Sequence, residues 1–171
     1  KKGYSAKILD AEALSINFIE TADIIANENP KLAVYMVYGQ QPSASTQCMP
    51  GGIKTANHVS KISNNEIDSL IIGPHASALP KRTLEENAFK YVCQGEGPLT
   101  VEGILEFKNG KKKINEIPGL WYKDEGEVKN NKAANMFEDL DKNLVKKIFT
   151  IRGKQSKLGL ESTVIKIKKN N

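Results

Sequence analysis

Apolar and polar positions along residues 1–110 alternate between two repeat lengths. Nearly continuous apolar runs are typical of buried strands, and apolar residues three or four positions apart are typical of helices. The predicted strands are SAKILDA, KLAVYMVY, IDSLIIG and FKYVCQG, and the predicted helices lie in NFIETADIIANEN, MPGGIKTANHVSKISNN, KRTLEENA and PLTVEGILEFKNG. Strands that alternate with helices predict an α/β class, a doubly wound parallel sheet with helices on both faces.

The first predicted helix has the clearest amphipathic pattern, and Asn29 and Pro30 end it. Its apolar residues recur at the spacing that places them on one helical face. The positions that this pattern predicts to face the sheet are Phe18, Ile19, Ala22, Ile25 and Ala26.

The pattern changes after Gly110. Residues 114–131 contain two short strands around the turn 124–126, which predicts a small antiparallel hairpin. Two alternating runs, IFTIR and TVIKIK, follow a polar connector. We therefore expect an α/β domain over residues 1–110, the hairpin appendage and connector over 111–141, and a basic tail over 142–171.

Small residues follow three of the predicted strands at the point where each strand ends. The segments are GQQPSAST after Tyr38, GPHASALP after Ile72 and GEGPLT after Gln94. Ligands of parallel α/β sheets bind outside the carboxyl ends of the strands. The three segments together therefore predict one shared surface that a ligand approaches closely.

The net charge of +5 is unevenly distributed. Residues 142–171 carry nine Lys or Arg and one acid, a balance of +8, so residues 1–141 have a balance of −3. A basic tail is compatible with nucleic acid or an anionic surface, but solvated lysines are the commoner reason for such a segment. We do not expect a nucleic-acid partner.

Cellular location follows from what the sequence lacks. No run approaches the roughly 18 apolar residues of a membrane span, and the first residues, KKGYSAK, contain no signal-peptide core. Cys48 and Cys93 have no metal-type spacing and form no disulfide framework. These features predict a cytoplasmic protein.

Six segments, in their order and spacing, resemble a known family. They are ILDAEAL, KLAVYMVYGQQPSAST, IIGPHASALPKRTLEE, YVCQGEGPLT, IPGLWYKDEGEV and DLDK. The series resembles the N-terminal cobalamin-binding domain of cobalamin-dependent radical S-adenosylmethionine enzymes, which include methylases and the anaerobic magnesium-protoporphyrin ester cyclase type. The resemblance covers about residues 3–141, and its most specific pieces are GPHASALP and GEG.

The resemblance implies a Rossmann-like, flavodoxin-like sheet with the cobalamin nucleotide tail beside the strand ends. Ser43 and Ser45 precede Gly73 by 30 and 28 residues, as the serine loop precedes the Gly-Gly loop in known cobalamin modules. Small side chains would leave a narrow cleft for the tail, and hydroxyls would bind its phosphate and sugar. The implied cofactor-binding residues are Ser43, Ala44, Ser45, Thr46, Gly73, Pro74, His75, Gly95, Glu96 and Gly97.

The chain departs from this family in three ways, one of which is that the basic tail after Asn143 does not resemble the linker into the catalytic domain. The start, KKGYSAKILDA, resembles the second strand, so the first strand and its Asp-x-His-x-x-Gly loop are expected to be missing. We expect either weakened cobalamin binding or another strand, TVIKIK, in the vacant place. No Cys-x-x-x-Cys-x-x-Cys occurs, so the S-adenosylmethionine and 4Fe-4S cluster of the parent family would not be bound by this chain. We expect a truncated domain without catalytic residues or metal ligands, whose partner would be a radical S-adenosylmethionine catalytic domain.

Each candidate residue also has a structural interpretation. Ser43, Ser45 and Thr46 are residue types that cap helices, and Gly73 is compatible with an ordinary turn. His75 lies in the Gly-Gly loop, which favours hydrogen bonding over cobalt ligation. Glu96 would either bond the corrin periphery or cap the next helix in a tight turn.

Two other functions stay open from sequence. A flavodoxin-like protein that binds flavin or a nucleotide would have this alternation, although no Gly-x-Gly-x-x-Gly or P-loop motif is present. A non-catalytic interaction module would use the basic tail to hold a partner. Flavin absorbance would favour the first, and salt-dependent binding through residues 142–171 would favour the second.

Overall fold

The computed structural model of the chain describes residues 3–39, 42–133 and 162–169. Its strands are β1 (Tyr4–Asp10), β2 (Leu32–Val37), β3 (Asp68–Ile72), β4 (Tyr91–Cys93), β5 (Leu120–Asp124), β6 (Glu127–Asn130) and β7 (Ser162–Lys169). Its helices are α1 (Phe18–Glu28), α2 (Pro42–Ile62), α3 (Pro74–Ala78), α4 (Pro80–Glu85) and α5 (Gly97–Lys108), with a short 3-10 helix at Ile114–Glu116.

The seven strands form one sheet in the order β1-β7-β2-β3-β4-β5-β6. β2, β3 and β4 pair in parallel, and β5 and β6 extend the sheet as an antiparallel hairpin. Glu125 and Gly126 connect the hairpin with φ values of 50° and 86°, as a two-residue turn of this type requires. The predicted α/β class, with a Rossmann-like sheet and a hairpin appendage, is confirmed.

β7 lies between β1 and β2 and pairs antiparallel with both. In this register Ile165 is opposite Ile8 on one side and Val34 on the other. The predicted TVIKIK strand is therefore present beside β2, but it runs against the parallel strands. The connector and the IFTIR run lie outside the described residues, and the absence of a first strand stays a prediction.

The sheet has an apolar core on each face, as a doubly wound fold requires. β2 supplies both cores by alternation: Ala33, Tyr35 and Val37 pack with α1, α2 and α4, and Leu32 and Val34 pack with α5. All five residues are at most 2% exposed. This full burial explains why the sequence of β2 is apolar without interruption. None of the helices in the described part of the chain is long and apolar enough to cross a membrane.

α1 begins as predicted, but its first turn is not buried against the sheet. The Asn17 side chain accepts hydrogen bonds from the backbone of Ile19 and Glu20, which caps the helix. Ile25 is fully buried, together with Thr21 and Ala22, whereas Ala26 is half-buried. The predicted burial of Phe18 and Ile19 is wrong, because both lie in the first turn and remain 39% and 44% exposed.

α2 begins at Pro42, seven residues before the predicted start at Met49. The small residues PSAST are therefore the first turns of a helix and not a loop. Proline suits the first helical position because its fixed φ is already helical and its missing N–H has no intrahelical partner there. This earlier start places Ser45 and Thr46 in the first turns of α2, beside the start of α3.

Candidate cofactor-binding site

Three connections leave the carboxyl ends of adjacent parallel strands. Tyr38 and Gly39 follow β2, Gly73 follows β3, and residues 94–96 follow β4. Because β2, β3 and β4 are neighbours in the sheet, these connections meet at one edge. The described residues thus have the arrangement of small residues that the sequence predicts.

Two hydrogen bonds join the start of α2 to the start of α3. The Ser45 hydroxyl accepts from the backbone N–H of His75 at 3.2 Å, and the Thr46 hydroxyl lies 2.9 Å from His75 Nδ1. Gly73 is the N-terminal cap residue of α3 and has no side chain to satisfy that N–H. Ser45 therefore caps the neighbouring helix, and Thr46 orients the His75 ring.

Gly73 is required by a close contact between two strands. Its φ is 153°, and a Cβ at this position would lie 2.1 Å from the carbonyl oxygen of Val37. Gly97 is similarly enclosed, because a Cβ there would lie 2.7 Å from Ile72 Cδ1. The neighbours of both glycines are protein atoms, so packing alone accounts for these two residues.

Gly95 differs from the other two glycines. Its φ is +91°, and a Cβ built on it would meet nothing within 4 Å. Its N–H donates to the Ser77 hydroxyl at 3.0 Å, which ties the β4 connection to α3. Gly95 therefore has open space beside it at the sheet edge.

Glu96 does not cap the helix that it precedes. It occupies the N-terminal cap position of α5, but its side chain accepts no capping hydrogen bond and is exposed. The pKa of Tyr38 is raised mainly by burial and further by the negative charge of Glu96. Tyr38 follows β2 and Glu96 follows β4, so the two outer connections leave the sheet on either side of β3.

The exposed fraction divides the predicted residues into three groups. Ser45, Gly73 and Gly97 are buried, whereas Thr46, Gly95 and Glu96 are exposed. The others whose side chains are described, Ala44, Pro74 and His75, are half-buried. A ligand at this edge would contact the second and third groups, and the first group would hold them in place.

Sequence reasoning missed three residues at or near this edge. Tyr38 and Leu79 are each 42% exposed, and Ser77 bonds the Gly95 N–H. Ser77 and Leu79 lie within the GPHASALP segment that the sequence singled out. Tyr38 could have been identified as a site residue from its position directly after an apolar strand.

Neither cysteine has a reactive thiol. Burial raises the pKa of the Cys93 thiol to about 11, and its sulfur lies 3.2 Å from the Thr100 hydroxyl. Burial, and then the charge of Glu12, raise the pKa of the Cys48 thiol. A thiol with a raised pKa is protonated at neutral pH and therefore a poor nucleophile or metal ligand. Within residues 3–39, 42–133 and 162–169, no group of three or more His, Cys, Asp or Glu could hold a metal ion.

Comparison with known proteins finds a curated relative but no family model. No family model matches the chain. The uncharacterized methyltransferase PH0819 of Pyrococcus horikoshii is 25% identical over 142 residues, which are 82% of this chain and 29% of that protein. The chain therefore spans less than a third of this curated relative.

Solved structures of the cobalamin-dependent S-adenosylmethionine radical enzyme OxsB have a similar fold. The apo form and the form with aqua-cobalamin bound both give a TM-score of 0.52, at 21% and 22% identity. The matches cover 69% and 70% of this chain and 16% of OxsB. The chain shares this fold. At 21% and 22% identity, this similarity shows a shared architecture and does not assign roles to individual residues.

Proposed function

We propose that this chain is a cobalamin-binding domain of a larger cobalamin-dependent radical S-adenosylmethionine enzyme. The corrinoid would lie over the carboxyl ends of β2, β3 and β4. The observation that carries the proposal is the junction of Ser45, Thr46 and His75, which places polar side chains at that edge. The similarity in fold to OxsB, for which a structure with aqua-cobalamin is known, supports it.

The residues at this edge fit the chemistry of a corrinoid. Tyr38 and Leu79 offer exposed apolar surface for a flat macrocycle, and Thr46 and His75 offer polar atoms for a phosphate or sugar. Gly95 leaves open space beside the β4 connection. Ser45 is fully buried and bonds the His75 backbone, so its role here is to position His75.

Cobalamin, when bound, would supply methyl-group or radical chemistry, and this chain would supply binding and orientation. The predicted site contains no Lys or Arg, and Glu96 adds a negative charge. Such a site disfavours a di- or triphosphate nucleotide more than a ligand with a single phosphodiester. A protein that binds a nucleoside di- or triphosphate is therefore the weaker candidate.

The matched region is a small part of both similar proteins. The chain spans 29% of PH0819 and 16% of OxsB. We infer that S-adenosylmethionine and a 4Fe-4S cluster are held by a separate catalytic domain, because Cys48 and Cys93 are the only cysteines in the sequence. Reconstitution with iron and sulfide should leave this chain without the absorbance of a cluster.

Co-elution tests the proposal. The chain, incubated anaerobically with hydroxocobalamin or methylcobalamin, should pass through gel filtration as a coloured complex with the absorbance of a corrinoid. Replacement of His75 by Gln should weaken the complex, because the ring that Thr46 orients is lost. A folded chain that elutes colourless with both cobalamins would refute the proposal, and flavin absorbance in the purified protein would favour the alternative.

A further inference from the structure

A serine hydroxyl joins α3 to the connection that follows β4. Ser77 lies in α3, two residues after His75, and its hydroxyl accepts the Gly95 N–H at 3.0 Å. Ser77 is half-buried, whereas Gly95 is exposed and has open space where a Cβ would lie. This hydrogen bond thus anchors an exposed backbone segment of the sheet edge to the helix that carries His75.

The two halves of the β4 connection are held by different elements. Gln94 is tied to the start of β5, because its N–H donates to the Gly119 carbonyl at 2.8 Å. Gly95 is tied to α3 through the Ser77 hydroxyl, and the Glu96 side chain accepts no capping hydrogen bond from α5. The position of Gly95 and Glu96 relative to α3 therefore depends mainly on Ser77.

The conformational freedom of glycine makes this anchor important. Gly95 has a φ of +91°, and it has no Cβ to restrict its backbone. Without the hydroxyl of Ser77, Gly95 and Glu96 would sample several conformations, and ordering them when a ligand binds would cost free energy. The hydrogen bond orders them before the ligand arrives, and preorganisation of this kind strengthens binding.

α3 is anchored on its other side as well. The Ser45 hydroxyl accepts the His75 N–H, and the Thr46 hydroxyl bonds the His75 ring. α3 therefore connects the start of α2 with the β4 connection. A corrinoid that contacts Thr46 on one side and Gly95 on the other needs the two at a fixed separation. Ser77 completes the series of hydrogen bonds that fixes it.

We propose that Ser77 is a positioning residue for corrinoid binding. Its hydroxyl acts through Gly95 and Glu96, which it holds in place beside the ligand, and contact between Ser77 and the ligand is not required. This assignment rests on the proposed cobalamin site. Loss of the hydroxyl should therefore weaken cobalamin binding by more than its effect on the stability of the fold explains.

The opposite end of β4 offers a matched control. Ser69 in β3 accepts the Lys90 N–H, also at 3.0 Å, and Lys90 directly precedes β4. Ser69 and Ser77 are both half-buried. The two hydrogen bonds match in donor, acceptor and length, but the Ser69 bond lies at the amino end of the parallel strands, away from the candidate site. A purely structural role predicts the same consequence for the loss of either hydroxyl.

Anaerobic titration of Ser77→Ala and Ser69→Ala with hydroxocobalamin tests the proposal. Both variants should lower the midpoint of urea denaturation by a similar amount, but only Ser77→Ala should weaken cobalamin binding, by about fivefold. In the absence of cobalamin, the Gly95 amide should exchange with deuterium about fivefold faster in Ser77→Ala and at the parent rate in Ser69→Ala. Ser77→Thr keeps the hydroxyl and should restore both the exchange rate and the affinity.

The possible failures separate this proposal from the cobalamin site itself. Parent affinity in Ser77→Ala would overturn the positioning role and leave the cobalamin site standing. Equal weakening in Ser77→Ala and Ser69→Ala would overturn it too, because the loss would then follow stability alone. Ser77→Thr with a slowly exchanging Gly95 amide but the affinity of Ser77→Ala would also overturn it. A folded parent chain that binds no cobalamin would refute the cobalamin site, and the positioning role with it.

Discussion

At the scale of single residues, the glycines at the sheet edge have different tasks. Gly73 and Gly97 are small because protein atoms come close to them, whereas Gly95 has open space beside it. The sequence predicts small residues in all three places but not which neighbour each one has. A close approach of backbone to backbone and a close approach of backbone to ligand call for the same residue type. Only the fold separates the two causes.

Gly73→Ala should destabilise the chain more than an ordinary glycine substitution. The Cβ would lie 2.1 Å from the Val37 carbonyl oxygen, so β2 and β3 would have to move apart. We expect a loss of about 3 kcal/mol in the free energy of unfolding, measured by urea denaturation. Gly110→Ala, which has φ +70° but meets no neighbour, should lose only about 1 kcal/mol. Equal losses would show that the contact with Val37 is absent.

Two buried hydroxyls should respond oppositely to removal. Tyr35 has no partner for its hydroxyl among the described residues, so Tyr35→Phe should leave stability unchanged or raise it by about 1 kcal/mol. The Thr100 hydroxyl donates to the Pro118 carbonyl at 2.7 Å, so Thr100→Val should cost about 2 kcal/mol. Chemical denaturation of both variants measures the difference. A marked loss in Tyr35→Phe would reveal a partner for that hydroxyl.

The Cys93 thiol should make stability fall at alkaline pH. Burial raises its pKa from 9.0 to about 11, so the unfolded chain releases this proton first. The contribution is complete below pH 9 and is lost as the pH rises to about 11, by about 3 kcal/mol in total. Thermal unfolding across this range should show a smaller pH dependence in Cys93→Ala than in the parent chain. Identical pH dependence in both would contradict the assignment.

At the scale of elements, two features determine the structure of the sheet edge at the carboxyl end of β2. They are the start of α2 and the position of β7. A run of Pro, Ser, Ala and Thr is common in loops, so its local sequence gave no reason to predict a helix. The contacts of Ser45 and Thr46 with His75 in α3 stabilise the helical start. These contacts join positions about 30 residues apart, which no local pattern encodes.

β7 should be among the protected strands of the sheet. Its backbone pairs with β1 on one side and β2 on the other, whereas β6 pairs only with β5. Amides of residues 163–168 should therefore exchange with deuterium nearly as slowly as those of β2, and those of β6 should exchange faster. Hydrogen-exchange NMR or mass spectrometry measures both. Fast exchange in 163–168 beside a slowly exchanging β2 would place β7 outside the sheet.

At the scale of the whole molecule, the alternation of strands and helices correctly predicts the α/β fold class. It also correctly predicts that the small-residue connections meet at one edge of the sheet. The spacing of apolar residues indicates which residues are buried. Because β2 is buried on both faces, its apolar run could be assigned to a strand from sequence alone. The antiparallel direction of β7 could not be predicted, because an alternating run has the same pattern in either direction. The exposure of Phe18 and Ile19 was missed because amphipathic spacing does not say how far a helix extends past the sheet.

The most direct test of the proposed cobalamin site is an anaerobic absorbance titration with hydroxocobalamin on two matched variants. Thr46→Trp places a large ring at the exposed start of α2, and Lys61→Trp places the same ring at the exposed end of that helix. We expect tight binding to the parent chain and Lys61→Trp, and binding at least about tenfold weaker to Thr46→Trp. Equal affinity in the two variants, or no binding to the folded parent chain, would contradict it.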